Sequence, residues 1–498
     1  MAASHRPQAS WTSPSLAVVL LGVVATVCGC ATAPDSEHAL LNRWTQLGPG
    51  GNVSLRAIVG PAADCPTAVV DGDERRLLPR ARATPATPRD GKPDGNPAFE
   101  PAFAVTSCEL VLPALARQAS IAGQPVSLPK AQTTRIVVLG DTGCRIKVPA
   151  SGPADPIQDC SSPGDWPWQR IAAAAARARP DLVIHLGDYH YREYCDNPAS
   201  CSPVRKTEVA IGYDWAGWNA DFFAPATPLL TAAPWIMVRG NHENCDRGGE
   251  GWMRFLSPVP YRACGDQTYR TATRSVLANN GTADAYRVDL DASLTLVVAD
   301  NAGHEDYRPA IATPQDVEIF RRTLAALLAT PPARASWLLV HRPLWYDLLQ
   351  ATSQPNALQA VLATKLPASV QFVLAGHEHA FETINFARDA DPANYPAGRP
   401  AQILVGTGGT QLEAFDPTSL FYEGQNGAGS KERPRPIGTL YDGVAASSGI
   451  VLNRYGFLLL ERQGENWSAT LMDPDGLPIS HCRPNGERKE IICSFPGA

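Results

Sequence analysis

The sequence predicts an α/β fold of layered sheet and helices, preceded by a small all-β N-terminal domain. Three observations predict it. From residue 131 onward, short apolar runs alternate with helix-like segments, the pattern of sheet layered against helices. Between residues 44 and 130 the runs are short and β-like, separated by Pro- and Gly-rich turns. Five of the later apolar runs end in a turn that carries Asp, Asn or His, the kind of group that open α/β sheets present at the carboxyl ends of their strands.

Length and composition allow such a fold. A chain of 498 residues, 44% hydrophobic and 18% charged, is long enough for one large and one small domain and has a globular composition. Its formal net charge is -6 and it has no long Lys/Arg run, which excludes the basic footprint that nucleic acid requires. Residues 1–30 form a targeting segment: Arg6 precedes an apolar run over 16–27, too short to span a bilayer comfortably. That run closes on Val27-Cys28-Gly29-Cys30, which resembles a lipobox with Cys30 as the lipidated residue; the alternative is a secretory signal cleaved near Ala31. Either reading gives an exported protein, periplasmic or at the cell surface. Its only contact with a membrane would be a lipid at Cys30.

Cysteine usage agrees with export. Setting Cys28 and Cys30 aside leaves ten of the 12: Cys65, Cys108, Cys144, Cys160, Cys195, Cys201, Cys245, Cys264, Cys482 and Cys493. An even number in an oxidising compartment predicts five disulfides; pairing of neighbours gives short loops throughout, although spacing alone does not fix connectivity. No close Cys-x-x-Cys pair supports a thiolate metal site.

In chain order, residues 31–43 read as a tether. Segments 54–59, 67–70 and 103–112 read as strands of a small β-sandwich over 44–130, stapled by Cys65 and Cys108, with a flexible loop at 81–101 and no catalytic constellation. The larger region, 131–498, begins with a strand at 135–139. An Ala-rich helix follows at 167–179, with Trp166 and Pro167 near its start and Pro180 beyond its end. Strands are expected at 182–186, 235–238, 294–299, 337–340 and 370–374, and helices at 214–230, 316–329 and 357–366. The remainder reads as antiparallel strand (381–386, 402–405, 449–460, 467–472), interrupted by a long Gly- and Pro-containing loop at 414–443.

Five segments carry the chemistry: Gly140-Asp141-Thr142-Gly143, Gly187-Asp188-Tyr189-His190-Tyr191, Gly240-Asn241-His242-Glu243, Val340-His341-Arg342-Pro343 and Gly376-His377-Glu378-His379. A parallel sheet with their strands as neighbours would bring all five turns to one edge. Two Asp, an Asn, a Tyr and three His would then converge, a set suited to two metal ions. Carboxylate, imidazole and amide oxygen together suit Fe, Zn or Mn better than Ca or Mg, which favour all-oxygen shells.

The order and spacing of these segments resemble the calcineurin-like metallophosphoesterase superfamily, over roughly residues 134–380. Asp188-x-x-Tyr191 resembles its purple acid phosphatase branch. Many superfamily members carry Asp-x-His at the first motif; here Gly143 stands where that His would be, as in purple acid phosphatases, which use the Tyr instead. The resemblance implies a layered β-sandwich flanked by helices, two metal ions, and hydrolysis of a phosphorylated small molecule by in-line attack at phosphorus. It further implies that Asp188 bridges the metals. Asp141, Tyr191 and His379 would complete a ferric site, and Asn241, His341 and His377 a divalent one for Fe, Zn or Mn. His242 would stand near the phosphate or leaving group as a catalytic residue with a general-acid role.

Other residues carry two readings. His185, inside its strand run, and His190 read as structural. Glu243 and Glu378 read as holders of loops or neighbouring imidazoles. Thr407-Gly408-Gly409 is either a close backbone approach to the site or a simple turn. Cys144 and Cys245, paired to Cys160 and Cys264, would stiffen ligand-bearing loops. Plant members of the branch carry further His soon after the fourth motif, and residues 346–350 have none, so Arg342, Tyr346 and His304 are candidate substitutes in protonating the leaving group. The expected function is hydrolysis of phosphate monoesters by an exported binuclear enzyme. Its rivals are a phosphodiesterase or nucleotide hydrolase on the same core, with loop 414–443 as a wall, and a surface binding protein on a dead fold.

Overall fold

The computed structural model describes residues 40–494, apart from 86, 89–98, 101, 114–115, 150–156, 196, 198–209, 246, 265–283, 303–320, 323, 330–333, 346–365, 414–443 and 445. The expected signal segment with Cys30, Cys201, His304, Tyr346, most of the expected helix at 357–366 and the expected 414–443 loop lie outside the described residues.

Alternation along the buried strands sets the layering, because successive side chains point to opposite faces. Along Arg135–Leu139, Ile136 and Val138 enter one apolar core while Val137 and Leu139 enter another. The strand belongs to an eleven-stranded sheet. From one edge the order is Glu490–Ser494, Pro478–Asn485, Asn466–Met472, Phe457–Gln463, Arg135–Leu139, Leu182–His185, Trp235–Met237, Leu40–Leu47, Val53–Val59, Thr106–Val111 and Leu78–Ala81. A seven-stranded sheet has the order Tyr286–Asp289, Leu294–Val298, Ala335–Leu339, Val370–Ala375, Ala401–Val405, Phe381–Asn385 and Ser448–Leu452. Ile136, Val138, Ile184 and Ile236 of the first meet Leu296, Leu339, Leu374 and Ile403 of the second in the central core.

Helices cover the outer faces. Trp168–Arg177 and the helical stretch after Asp214 pack with Val137, Val183 and Trp235, while Leu327, Leu344 and Trp345 join Val297, Leu338 and Val373 on the other side. The fold is therefore a layered β-sandwich flanked by helices. The five motif strands do not form one parallel sheet, as the sequence reading expected. Arg135–Leu139, Leu182–His185 and Trp235–Met237 run parallel in the first sheet, and Ala335–Leu339 and Val370–Ala375 run parallel in the second. Stacking the sheets still brings all five carboxyl ends together.

Two local features position the site. The helical stretch begins at Asp214, whose carboxylate accepts the Gly217 N–H at 2.9 Å, and runs through Trp215–Trp218 and Ala224–Leu230 with a wide π turn at Asn219–Phe223 between them. Such turns often mark functional sites, and this one carries the buried Asp221. The single strand expected at 449–460 is instead two strands in different sheets, Ser448–Leu452 and Phe457–Gln463. Between them Gly456 N–H donates to Thr407 O at 3.0 Å, tying the crossing to the site edge.

The N-terminal region is all-β. Its strands Val53–Val59 and Thr106–Val111 face a four-stranded sheet containing Thr67–Val70 and Ala119–Ile121 across a core of Leu55, Ala57, Ala68, Val70 and Ile121, stapled by Cys65–Cys108. The strand Leu40–Leu47 begins inside the segment read as a tether and pairs with Trp235 through Gln46, so this module shares the main sheet. Arg56 and Arg80 lock it down. They share Glu109 at 2.8 and 3.0 Å and donate to the carbonyl of Ser257 at 3.2 and 3.0 Å. The described residues form one compact unit. Cys144–Cys160, Cys245–Cys264 and Cys482–Cys493 pair as neighbours, the last across a C-terminal hairpin that the sequence reading missed; Cys195 is also disulfide-bonded.

Candidate metal centre

Each motif strand stops where a polar side chain turns inward. Asp141, Asp188 and His377 all sit at positive φ, 57°, 60° and 77°, a conformation that costs non-Gly residues energy and persists only when surroundings enforce it. The enforcement is visible. Asp141 N–H donates to Gly187 O at 2.9 Å, and its Oδ2 accepts the His377 N–H at 3.0 Å. The Glu243 carboxylate, fully buried, accepts four backbone N–H groups, from Asp188, Tyr189, His190 and Gly240, at 2.9–3.2 Å. Glu243 is thus the holder of the Asp188 loop, the first of the two roles read for it.

The side chains so held form two clusters that meet at one carboxylate. In the first, Tyr191 Oη lies 2.7 Å from Asp188 Oδ2, 2.8 Å from His379 Nε2 and 3.4 Å from Asp141 Oδ1. In the second, His341 Nε2 lies 3.3 Å from Asp188 Oδ1, 3.0 Å from Asn241 Oδ1 and 3.2 Å from His377 Nδ1. The structure brings all seven sequence-singled residues together, and Asp188 offers one oxygen to each group. Asp188, His341 and His377 place ligand atoms within 4.8 Å of one another.

The donor chemistry fits cations. His341 Nδ1–H donates to the Leu186 carbonyl and His379 Nδ1–H to that of Gln411, both at 2.8 Å, which turns each Nε2 toward the cluster. The first cluster then sets two carboxylate oxygens, a phenol and an imidazole nitrogen against one another. The electrostatics agree. Burial, reinforced by the Asp188 charge, pushes the Asp141 carboxyl well above its ordinary range. At His341 burial disfavours the charge, yet the Asp188 carboxylate outweighs it and raises the imidazole to about 9. A site that draws a proton onto a buried imidazole is one that attracts positive charge. Burial and the Arg145 charge lower His379 to about 3, keeping it an unprotonated donor.

Gly143 explains the exchange of His for Tyr. A Cβ there would fall 2.6 Å from Tyr191 N and 2.9 Å from both Tyr191 Cδ2 and Asp221 Oδ2. The Tyr191 ring fills the space that a side chain at 143 would need. Asp221, unremarked in the sequence, fixes this arrangement. Its Oδ1 accepts Cys144 N–H and Arg192 Nε at 2.8 Å, and its Oδ2 accepts the Tyr191 and Arg192 N–H groups at 2.6 and 3.1 Å.

Cationic and imidazole groups surround the clusters. The His242 ring stands 3.6 Å from the Tyr191 ring, with Nδ1 3.1 Å from Glu193 Oε1 and Arg247 Nη2 against both ring nitrogens. Burial and the Arg247 charge lower it to about 4, so it is neutral near pH 7. Arg342 Nη1 lies 3.2 Å from His377 Nε2; a guanidinium stays protonated, so it is better suited to hold charge than to deliver a proton. His185 is structural: it stacks on Tyr189 at 3.8 Å, bonds Thr142 Oγ1 at 3.0 Å through Nε2, and accepts the Gly187 N–H. Thr407-Gly408-Gly409 makes the close backbone approach. Gly408 N–H donates to Gly140 O at 2.9 Å, and a Cβ there would fall 2.4 Å from that oxygen.

A model of the calcineurin-like phosphoesterase family matches residues 134–381, the span holding all five loops. The chain carries a calcineurin-like phosphoesterase domain. Among solved structures it is similar to a purple acid phosphatase from yellow lupin (Lupinus luteus) seeds. That alignment covers 89% of this chain and 73% of the lupin chain, at 14% identity and TM-score 0.53. It also aligns with the structure of PhoD over 94% of this chain and 95% of that one, at 12% identity and TM-score 0.45. At 14% identity the likeness to the lupin enzyme is one of fold. No curated protein matches the chain by sequence. The phosphoesterase domain is that of a metal-dependent phosphoester hydrolase.

Sequence reasoning missed Glu193, Asp221, Arg247 and the Arg239–Asp300 pair. Arg239, two residues before Asn241, is fully buried and donates Nε to Asp300 at 2.9 and 3.1 Å and Nη1 to Asn244 Oδ1 at 3.1 Å. An Arg immediately after an apolar strand run was the available signal.

Proposed function

We propose that this protein is an exported, binuclear acid phosphatase-like enzyme that hydrolyses phosphate monoesters. The observation that carries the reading is the division of Asp188, whose two carboxylate oxygens face two separate donor clusters. Asp141, Tyr191 and His379 would share a ferric ion with Asp188, the phenol being a hard donor that favours a trivalent metal. Asn241, His341 and His377 would share a divalent Fe, Zn or Mn with it. Two bridged ions, when bound, make water a competent nucleophile near neutral pH and offset charge on phosphoryl oxygens.

The chain's own groups set the rest. Glu193 and Arg247 hold His242 against Tyr191, where it can orient the phosphate or, in the form protonated at acid pH, carry a proton to the leaving oxygen. Arg342 beside His377, Arg247 beside His242, and Arg145, whose charge reaches Tyr191 and His379, give the site three guanidinium groups. That much positive charge suits a dianionic monoester better than a monoanionic diester, which supports the monoester reading. The disulfides support folding in an oxidising compartment; lipidation at Cys30 belongs to the same proposal.

The test is turnover of matched aryl phosphate mono- and diesters by protein reconstituted with iron plus zinc or manganese. Faster monoester hydrolysis supports the reading. Faster diester hydrolysis moves it to a phosphodiesterase, and turnover of neither, with two metals bound, moves it to a binding protein.

A further inference from the structure

At the edge of the sandwich opposite the metal centre lies a cavity of about 780 Å³, a volume typical of small-molecule sites. It is bounded by the starts of Leu294–Val298, Ala335–Leu339 and Val370–Ala375 and by the turns at 465–467 and 484–489. From the start of a parallel strand to the metal loop at its end is about five residues, or roughly 17 Å. The cavity therefore belongs to a different site.

Its chemistry is unusual at one residue. Lys489 lines the cavity, is only 4% exposed, and forms no hydrogen bond or ion pair among the described residues. It sits at the close of a hairpin turn, just before the Asn485–Glu490 pair, at φ 56°, a strained conformation for a side-chain-bearing residue. Burial, with no carboxylate to offset it, lowers its amine to about 8. An enclosed side chain whose amine meets no counter-charge would gain from a ligand in the cavity that supplies one. The surroundings show what kind of ligand. Trp467 and the buried Phe372 line the cavity, with Trp467 held edge-on to Trp337 at 5.5 Å. Arg388 adds a second cation, while Arg334 is engaged by Asp289 at 2.9 Å. The acids, Glu465 and Glu487, are on exposed positions of the turns.

We propose that this cavity binds a small planar anion, an aromatic ring bearing a phosphate or carboxylate, with the ring against Trp467 and the charge met by Lys489 and Arg388. Aromatic faces take the flat body, and the amine takes the anion.

Pyridoxal 5′-phosphate is a suitable probe, being a flat ring with both an anion and an aldehyde. The Lys489 amine adds to the aldehyde carbon and water leaves as the imine forms; borohydride then delivers hydride to the imine carbon and fixes a secondary amine that peptide mapping locates. Labelling of the whole metal-loaded chain should mark Lys489 at least tenfold faster than Lys130, whose side chain is 63% exposed. With pyridoxal, which lacks the phosphate, the preference for Lys489 over Lys130 should fall at least fivefold, a ratio that cancels the two reagents' different free-aldehyde content, and Trp467→Ala should slow labelling of Lys489 by the phosphate form. A low amine pKa alone would speed both aldehydes alike. Benzoate slowing the labelling while acetate does not would show that a carboxylate on a ring is also taken. Lys489→Met should abolish the label and leave phosphoester turnover unchanged. Equal labelling of Lys489 and Lys130, or labelling of Lys489 indifferent to the phosphate and to Trp467, would overturn the proposal. Because Lys489 is read by mapping and not by turnover, failure here leaves the metal centre's reading separate.

Discussion

Asp221→Asn is the substitution that most sharply tests how the Tyr191 loop is held. Asp221 is fully buried and its two oxygens accept four hydrogen bonds, two of them from Arg192, whose side chain is 5% exposed. Asparagine keeps the shape but only one acceptor oxygen, so its NH₂ is turned against two donors. Hydrogen bonds to charged groups contribute about 1.5–3 kcal/mol each, so losing two costs about 3–6 kcal/mol. The figure agrees with the roughly 3–5 kcal/mol for breaking a buried ion pair. Against a total stability of about 5–15 kcal/mol the Asn variant should still fold, whereas Ala would orphan all four donors. Urea unfolding of metal-free wild type and variant, at equal m-value, reads the difference directly. The loop freed by the change carries Tyr191 and abuts Cys144, so affinity for the first metal should fall as well. A loss of stability below about 1 kcal/mol, with unchanged metal affinity, would refute the positioning role.

Three further outcomes are expected. Gly143→Ala places a Cβ 2.6 Å from Tyr191 N and 2.9 Å from its ring, so it should displace Tyr191 and cut turnover at least tenfold; full activity would show that the ring can move aside without cost. Tyr191→Phe should abolish any visible phenolate-to-iron absorption of the iron-loaded protein, and a colourless wild type would sink the ferric assignment even if hydrolysis survived. Asp181 accepts Thr134 N–H and Oγ1–H at 2.8 Å and Arg135 N–H at 2.9 Å, and pairs with Lys130. Burial would raise its carboxyl, but Lys130 and these donors outweigh it and hold it below the ordinary range. Its contribution is thus fully present above the unfolded pKa of about 4 and is lost as pH falls through the depressed folded value. Asp181→Asn should cost about 1.5–3 kcal/mol at pH 7, and the gap from wild type should close below pH ~4; a gap constant with pH would contradict the assignment.

What could be read from the sequence and what could not divide on physical lines. Asp141, Asp188, Asn241, His341 and His377 each follow a strand-ending run, and strand direction alone sends such residues to one edge. Their convergence was therefore legible without knowing that two sheets supply them. Asp221 and Glu193 were not, because each acts through backbone or side-chain donors on another segment, and only packing makes those meetings. The positive φ at Asp141, Asp188 and His377 is likewise held from outside by Glu243 and neighbouring loops; Asp and His tolerate it better than most side chains, but neither type requires it. In the fold, Leu40–Leu47 was missed because Asn42, Arg43, Thr45 and Gln46 hide its strand character; most are buried by the sheet on either side. The C-terminal hairpin was missed for the same reason, its Pro478–Asn485 strand being mostly polar and stapled by Cys482–Cys493. Lys489 reads in the sequence as an ordinary turn lysine, and only burial singles it out.

Metal stoichiometry under substitution of Asp188 bears most directly on the central claim, that one carboxylate serves two metal ions. Elemental analysis of purified protein should find two ions per chain in wild type and one in Asn241→Ala. Asp188→Ala, which removes both oxygens, should lose tight binding at both sites together, since each donor cluster depends on one of them. An Asp188→Ala protein that keeps one ion at wild-type affinity would assign the carboxylate to a single site and contradict the account.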